Sequence, residues 1–346
     1  KKLNAQHTAI VGEIDGASNV ITIQDSPENG NQGYEEILRK QSKVTIDQEE
    51  LSGIIEEYNP TDIIIYPGKY NIEDVLPVLK SFKGKLHIDV QYGTESLKKM
   101  IADNINFDTI ILSTSSTLFE ENDFSVINLV NSPLIASTKS FLLKENRGGS
   151  RYYDIINRKW YEAPAFKTDT VHSVGVGDCF NAAFLSQKSQ RTEEAALKIA
   201  SYIAMLYAST FVFDEFKELV SSLDFNDVEM LLGNRIPWEE REKHHIYIAG
   251  PDFPDVDTRL IEELYNNLKY HNFTPHRPVL ENGLITGSES EEQQEEAYRN
   301  DIALLEKSSL LIAVILNDDP GTYVEIGWMA RSGKPVIIFD PYKQVR

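Results

Sequence analysis

From about residue 60 the chain alternates short apolar runs with stretches of helical spacing. Asp62–Tyr66, Lys85–Val90, Thr109–Leu112 and Pro133–Ser137 read as strands, with helices at Ile72–Phe82 and Thr94–Asp103 between the first three. Such alternation predicts a largely parallel sheet with helices on its faces. Phe141–Lys144, Arg151–Ile155 and Lys159–Ala163 then read as short antiparallel strands. A glycine-containing turn, Val174–Asp178, and two helices, Asp178–Gln187 and Thr192–Phe211, follow them.

Ser221–Lys243 is charged, contains Gly233, Asn234 and Pro237, and reads as a linker or connecting helix. The pattern then starts afresh. His245–Ala249, Leu310–Ile315 and Pro335–Phe339 are expected strands, and Asp257–His271, Glu291–Lys307 and Thr322–Ser332 expected helices. The fold class is therefore α/β throughout, with an N-terminal α/β domain at 1–220, a linker at 221–244 and a smaller doubly wound parallel sheet at 245–346. Ligands of such sheets sit beyond the carboxyl ends of the strands, so the loops Gly250–Val256 and Leu316–Gly321 should face one cleft. In the first sixty residues Ala9–Glu13 and Val20–Gln24 are candidate strands; the rest, including Pro27–Gly33, is polar and unassigned.

Charge and cysteine content narrow the partners. With 34 Lys and Arg against 54 Asp and Glu, the formal charge of −20 excludes a phosphate-backbone binder and hence a nucleic-acid polymer. The single cysteine, Cys179, forms no internal disulfide, and no Cys/His cluster suggests a metal, which fits a reducing, cytoplasmic setting. No apolar run approaches the ~18 residues of a membrane helix. The chain opens Lys1-Lys2 and stops directly after a strand-like run, as expected of a sequence lacking residues at both ends.

Asp301 falls on a helix, and Asp319 and Glu325 flank Pro320-Gly321-Thr322. The strand ending at Leu316 delivers Asp319 to the cleft, and Glu325 is expected in the first turn of the next helix. A helix start favours an ionised carboxylate, the form a carboxylate nucleophile requires. Cleavage of a glycosidic bond passes through an oxocarbenium-like state that a nearby anion stabilises or traps. Thr322-x-x-Glu325 also reads as a capping box, in which both side chains satisfy backbone donors, and local mechanics alone favour that meaning.

Tyr247-Ile-Ala-Gly-Pro-Asp-Phe253, Tyr298-x-x-Asp301 and Asp319-Pro-Gly-Thr-Tyr-Val-Glu325-Ile-Gly-Trp-Met-Ala-Arg-Ser-Gly-Lys-Pro-Val336 together resemble the nucleoside 2-deoxyribosyltransferase family. The resemblance implies a flavodoxin-like or Rossmann-like fold and attack by Glu325 on the anomeric carbon. Asp301 and Asp319 would handle base and sugar, and Tyr247 would position the nucleophile. It also implies substrate contacts at Gly250, Pro251, Phe253, Gly321 and Thr322, no cofactor or metal in this domain, and a homo-oligomer with shared active sites. The partners implied are a nucleoside and a free base. Because Gly250-Pro-Asp-Phe-Pro-Asp-Val-Asp257 carries three carboxylates, a nucleoside is expected over a nucleotide.

In the N-terminal domain Ser173-Val-Gly-Val-Gly-Asp-Cys-Phe-Asn-Ala-Ala-Phe184 places two glycines before a helix. Backbone N–H groups of such a turn can hold an anion, and its Asp can accept a hydroxyl proton. Residues 60–215 resemble the PfkB/ribokinase family of sugar and nucleoside kinases, whose hallmark is G-A-G-D-x-F. The resemblance implies Asp178 as catalytic base, Gly175, Val176 and Gly177 as phosphate-binding turn, and ATP and Mg²⁺ as cofactors. Two departures mark the domain as truncated or degenerate. The family's first glycine signature has no counterpart before Ile64, and the Asn-x-x-Glu element that organises Mg²⁺ reads Ser113-Thr-Ser-Ser-Thr-Leu-Phe119. His172 is expected to be structural.

The expected activity is nucleoside deoxyribosyl transfer in nucleoside salvage, fused to a kinase-like domain. The alternatives are a nucleoside hydrolase, a bifunctional enzyme with sugar or nucleoside kinase activity, and a non-catalytic nucleoside sensor.

Overall fold

The structure, a computed structural model, describes residues 11–15, 20–25, 32–37, 43–68, 70–91, 93–285 and 289–343. Two compact units meet in sequence at Ile236 and Pro237.

The first unit opens with two antiparallel pairs. Strand β1 (Glu13–Asp15) joins β4 (Lys43–Thr45), and β2 (Val20–Asp25) joins β3 (Gln32–Ile37). Val20–Gln24 is thus a strand, whereas residues 9 and 10 of the other expected strand lie outside the described residues. Helix α1 (Gln48–Tyr58) follows, its start capped by the Asp47 carboxylate accepting from Glu50 N.

A six-stranded sheet dominates this unit. Strands β5 (Asp62–Ile65), β6 (Lys85–Asp89), β7 (Thr109–Ser113) and β8 (Ser140–Lys144) run parallel; β9 (Ser150–Asp154) and β10 (Lys159–Ala163) complete it antiparallel, in the order β10-β9-β8-β7-β6-β5. Helices α2 (Leu76–Ser81) and α3 (Thr94–Ala102) link the first three strands. Two expectations are corrected between β7 and β8. Pro133–Ser137 is not a strand: Ser132 caps a short helix there with proline in its first turn, where the missing N–H costs nothing. Consequently α4 (Thr117–Glu120), α5 (Val126–Asn131) and α6 (Pro133–Ala136) form a crossover, and β8 enters parallel to β7 instead of antiparallel.

Helices α7 (Val176–Lys188) and α8 (Glu193–Ala208) pack on one sheet face through Phe180, Phe184, Leu197, Ala200 and Ile203 against Ile111, Leu142 and Tyr152. By strand alternation Ile110, Leu112, Phe141 and Leu143, all fully buried, serve the other face. Each such side chain contributes about 1.5–3 kcal/mol by leaving water. Helices α9 (Phe213–Ser222) and α10 (Phe225–Met230) add Phe216, Val220 and Val228 to the same core. The segment beyond them stays on this unit: Ala165 and Asn234 exchange backbone hydrogen bonds of 2.9 and 3.0 Å.

The second unit contains α11 (Trp238–Arg241), β11 (His245–Ala249), α12 (Arg259–Tyr270), β12 (Thr274–His276), α13 (Pro278–Asn282), α14 (Glu291–Lys307), β13 (Leu310–Val314), α15 (Pro320–Arg331) and β14 (Val336–Phe339). Its four strands are all parallel in the order β12-β11-β13-β14. Tyr247, Ala249, Leu311, Ala313 and Ile315 face α14 and α15, while Ile248, Val314 and Leu316 face α12. The chain leaves β11 toward one edge and β13 toward the other, so a crevice opens between their carboxyl ends.

Candidate active site

Helix α15 starts earlier than its apolar spacing suggests. Pro320 occupies its first turn and Asp319 caps it, Oδ2 accepting from Thr322 N at 2.8 Å and from Thr322 Oγ1 at 2.7 Å. The expected Thr322/Glu325 capping box therefore does not form: Asp319 takes the capping role, Thr322 is already inside the helix, and Glu325 lies in its second turn. One turn on, Glu325 meets the middle of β11, where Tyr247 OH donates to Oε1 at 2.5 Å. Tyr247 is completely buried, so its ring is fixed by packing against the α14–α15 layer.

Asp301 on α14 completes the group, its Oδ1 accepting from Asn282 Nδ2 at 2.6 Å. Burial is the main force on Glu325 and raises its pKa to about 7; the charges of Asp301 and Asp319 add to the rise, and the Tyr247 bond opposes it. Asp301 is also raised by burial, against the Asn282 bond. The Tyr247 phenol is held far above its usual range by burial, with Glu325 adding to the effect, and stays neutral. Asp301 and Asp319 thus act as charges on Glu325, and Tyr247 bonds its carboxylate.

The loop after β11 holds the remaining expected contacts. A Cβ at Gly250 would lie 2.9 Å from Ile261 Cδ1 and 3.1 Å from Val314 O, so packing of α12 and β13 already demands glycine there. Pro251 is buried and Phe253 exposed. At Gly321 a Cβ would stand 3.3 Å from Asp319 Oδ2, beside the capping carboxylate. The loop repels phosphate less than its three carboxylates imply. Arg277 grips Asp252 with two bonds of 2.6 and 2.8 Å, and Arg259 pairs with Asp257 at 2.5 Å. Two of the three loop carboxylates are therefore neutralised by arginines that stand apart from them in sequence or follow the loop.

In the first unit, Gly175 adopts φ 75°, a left-handed conformation that leads the chain into α7. Asp178 sits in the first turn of α7, its pKa raised by burial and by Asp89 and lowered by Lys144. Lys144 Nζ donates to Asp89 Oδ2 at 2.7 Å, and Asn181 Nδ2 donates to the same oxygen at 2.6 Å. An added Cβ at Gly177 would lie 3.4 Å from Lys144 Nζ, which places the ammonium at the helix start. His172 is structural in its contacts: Nε2 lies 2.9 Å from Thr210 O and the ring stacks on Phe211.

Two family models each match a part of the chain. Residues 246–345 match the family model of the nucleoside 2-deoxyribosyltransferases. Residues 116–211 match that of the pfkB family carbohydrate kinases. Among solved structures, the chain is similar to ribokinase from Thermotoga maritima (16% identity, TM-score 0.40), covering 53% of this chain and 66% of that one, just under two thirds of its length. It is likewise similar to the nucleoside kinase of Methanocaldococcus jannaschii (18% identity, 60% and 70% covered, TM-score 0.41) and to fructokinase from Vibrio cholerae O395 (11% identity, 61% and 74% covered, TM-score 0.44). No curated protein matches the chain in sequence. No helix among the described residues is long and apolar enough to cross a membrane.

The deoxyribosyltransferase-like unit has functional neighbours that sequence reasoning missed. Asn282 comes from a five-residue helix in a stretch without clear periodicity. In the kinase-like unit Asp89 and Lys144 each end a strand with no motif around them, whereas Asn181 lies inside the quoted Ser173–Phe184 segment but was given no role. The signal that could have found Asp89 and Lys144 is a polar residue at the carboxyl end of a parallel strand, where ligands of such sheets bind.

Proposed function

We propose that residues 237–346 catalyse transfer of a 2-deoxyribosyl group between nucleobases through a covalent intermediate on Glu325. Glu325 Oε2 attacks C1′ as the N-glycosidic bond breaks, and the bonding pair leaves with the base. Tyr247 OH holds Oε1 and so aims the other oxygen. Asp301 exchanges a proton with the departing base, and Asp319, whose Oδ1 lies outside the cap, orients the sugar. In the second half the acceptor base attacks C1′, the C1′–Oε2 bond breaks, and the acceptor's proton passes to Asp301. Carboxylates without a cation among the charges acting on Glu325 suit an oxocarbenium-like transition state.

The observation that carries this reading is the 2.5 Å bond from buried Tyr247 to Glu325, which holds one carboxylate oxygen while Asp319, not Glu325, caps the helix. Incubation with a deoxynucleoside and a second free base, followed by chromatography, should give the exchanged nucleoside. Free deoxyribose alone would identify water as the acceptor and make the unit a hydrolase. Undiminished turnover by Glu325→Ala would refute the mechanism.

A further inference from the structure

A polar cavity of about 200 Å³ lies at the far end of α7 from Asp178, at the amino ends of the parallel strands. Asp62 and Lys85 open β5 and β6 on its rim, and Asp108 and Lys139 stand just before β7 and β8. Lys188, in the last turn of α7, lines it. The Lys188 ammonium donates to Tyr152 OH and stands 4.2 Å from the centre of that ring, which is itself buried. Four carboxylates act on Lys188 as charges without bonding it, and three of them are engaged elsewhere. Asp62 meets His87 Nε2 at 3.0 Å, Asp108 accepts from Lys139 at 2.7 Å, and Asp154 accepts from Asn157 N and Nδ2 at 3.0 and 2.7 Å. The fourth, Glu193, opens α8.

Burial lowers the pKa of Lys188; the four carboxylates oppose it, as does a place at a helix C-terminus, and burial prevails. Burial also pushes the Tyr152 phenol up to about 12, so a proton donor stays beside the amine. The other basic groups differ: His87 and Lys139 face carboxylates, and Lys85 is exposed. A part-buried lysine without an ion-pair partner has the chemistry of a nucleophile. Four carboxylates against three lysines nearly cancel, and Ile156, Leu185 and the Tyr152 ring add apolar wall, which suits a small uncharged ligand. The volume falls below the ~300–1,000 Å³ of pockets for larger molecules.

We propose that Lys188 captures a small uncharged aldehyde in this cavity as an imine. The ammonium first releases a proton to solvent. The nitrogen lone pair attacks the carbonyl carbon, the C=O π pair moves to oxygen, and Tyr152 OH protonates that oxygen while regaining a proton from nitrogen. The carbinolamine hydroxyl then leaves as water with the remaining nitrogen proton as the lone pair closes C=N. Amine and aldehyde thus give imine and water, with no change of oxidation state.

The test is labelling of the full chain with acetaldehyde and cyanoborohydride, which reduces each imine to a stable secondary amine, over a pH series from neutral upward. Digestion and mass spectrometry rank the lysines within one sample. At neutral pH Lys188 should be alkylated about tenfold or more faster than Lys85 and Lys139, since each unit of lowered pKa gives tenfold more free amine. Its rate should also level off at lower pH than theirs. Tyr152→Phe should slow imine formation about tenfold or more, while acylation of Lys188 by acetic anhydride, which needs only the free amine, is not slowed. Thermal melts report folding; should Tyr152→Phe fail to fold, the ranking within the parent decides. A structural Lys188 shielded by Tyr152 would label among the slowest. Labelling no faster than at Lys85 and Lys139, a pH dependence matching theirs, or an undiminished imine rate in folded Tyr152→Phe would each overturn the proposal.

Discussion

In both units a loop feeds a helix whose early turns carry a carboxylate, from parallel β13 in the second unit and from antiparallel β10 in the first, and the charges around the two carboxylates differ. Burial raises the pKa of Glu325 to about 7, and the charges of Asp301 and Asp319 add to the rise. Asp178 feels Asp89 but also Lys144, which pulls the other way. Clustered carboxylates with no cation store electrostatic tension that a developing positive charge relieves, as in glycosidic cleavage. In the first unit the Lys144 ammonium supplies a counter-charge that the carboxylates around Glu325 lack.

The largest expected effect comes from removing the tension itself. Glu325→Gln keeps the shape and an acceptor for Tyr247 OH but supplies no nucleophile, so transfer should fall by ~10³-fold or more. Stability should move the other way. The folded parent binds a proton on Glu325 between the ordinary carboxylate value of 4.5 and about 7, where the unfolded chain does not. Its stability therefore drops as pH rises through that window, by on the order of 1–3 kcal/mol in all. Glu325→Gln escapes the loss, so its thermal melt should exceed the parent's at pH 8 and converge with it near pH 4.5. A parent melt that gains on the variant as pH rises would contradict the tension account.

A smaller effect should follow at Tyr247. The parent needs Glu325 ionised, so its transfer rate should climb with pH through about 7. Tyr247→Phe removes the hydrogen bond that opposes the rise, and the ascending limb should shift to higher pH. The rate at neutral pH should fall roughly tenfold, from lost ionisation and lost aim together. If the limb stays in place while only the maximum drops, Tyr247 aims the carboxylate without tuning it.

The sequence made the second unit legible where pattern was strong. β11, β13 and α12 each have unbroken apolar spacing, and the spacing of Tyr247, Asp301, Asp319 and Glu325 is carried by a family pattern. Helix starts were less legible. Thr322 and Asp319 both have side chains able to cap α15, and only Pro320, which favours a first-turn position, broke the tie toward Asp319. Pro133–Ser137 misled for the same reason, since Pro-Leu-Ile-Ala after Ser132 is apolar enough for a strand but begins as a capped helix. The pairs that tune the sites, Arg277 with Asp252, Lys144 with Asp89 and Asn282 with Asp301, join positions 25, 55 and 19 residues apart. Local spacing carries no trace of such contacts, because tertiary folding alone brings them together.

Asn282 offers the finest probe of the cluster. Its amide favours the ionised form of Asp301, against burial, and that charge in turn raises Glu325. In Asn282→Ala, Asp301 should hold its proton to higher pH, which weakens its field on Glu325. The two groups titrate as a coupled pair, so the ascending limb assigned to Glu325 should move slightly to lower pH while any limb set by Asp301 moves up. The rate near neutrality should stay within about tenfold of the parent, since neither reacting group is lost. Asn282→Asp, which replaces the donor with another carboxylate, should instead push Glu325 upward. A pH–rate series on the parent and both variants separates the signs; limbs moving together in the same direction in both variants would mean that Asn282 acts through packing and not through the charge on Asp301.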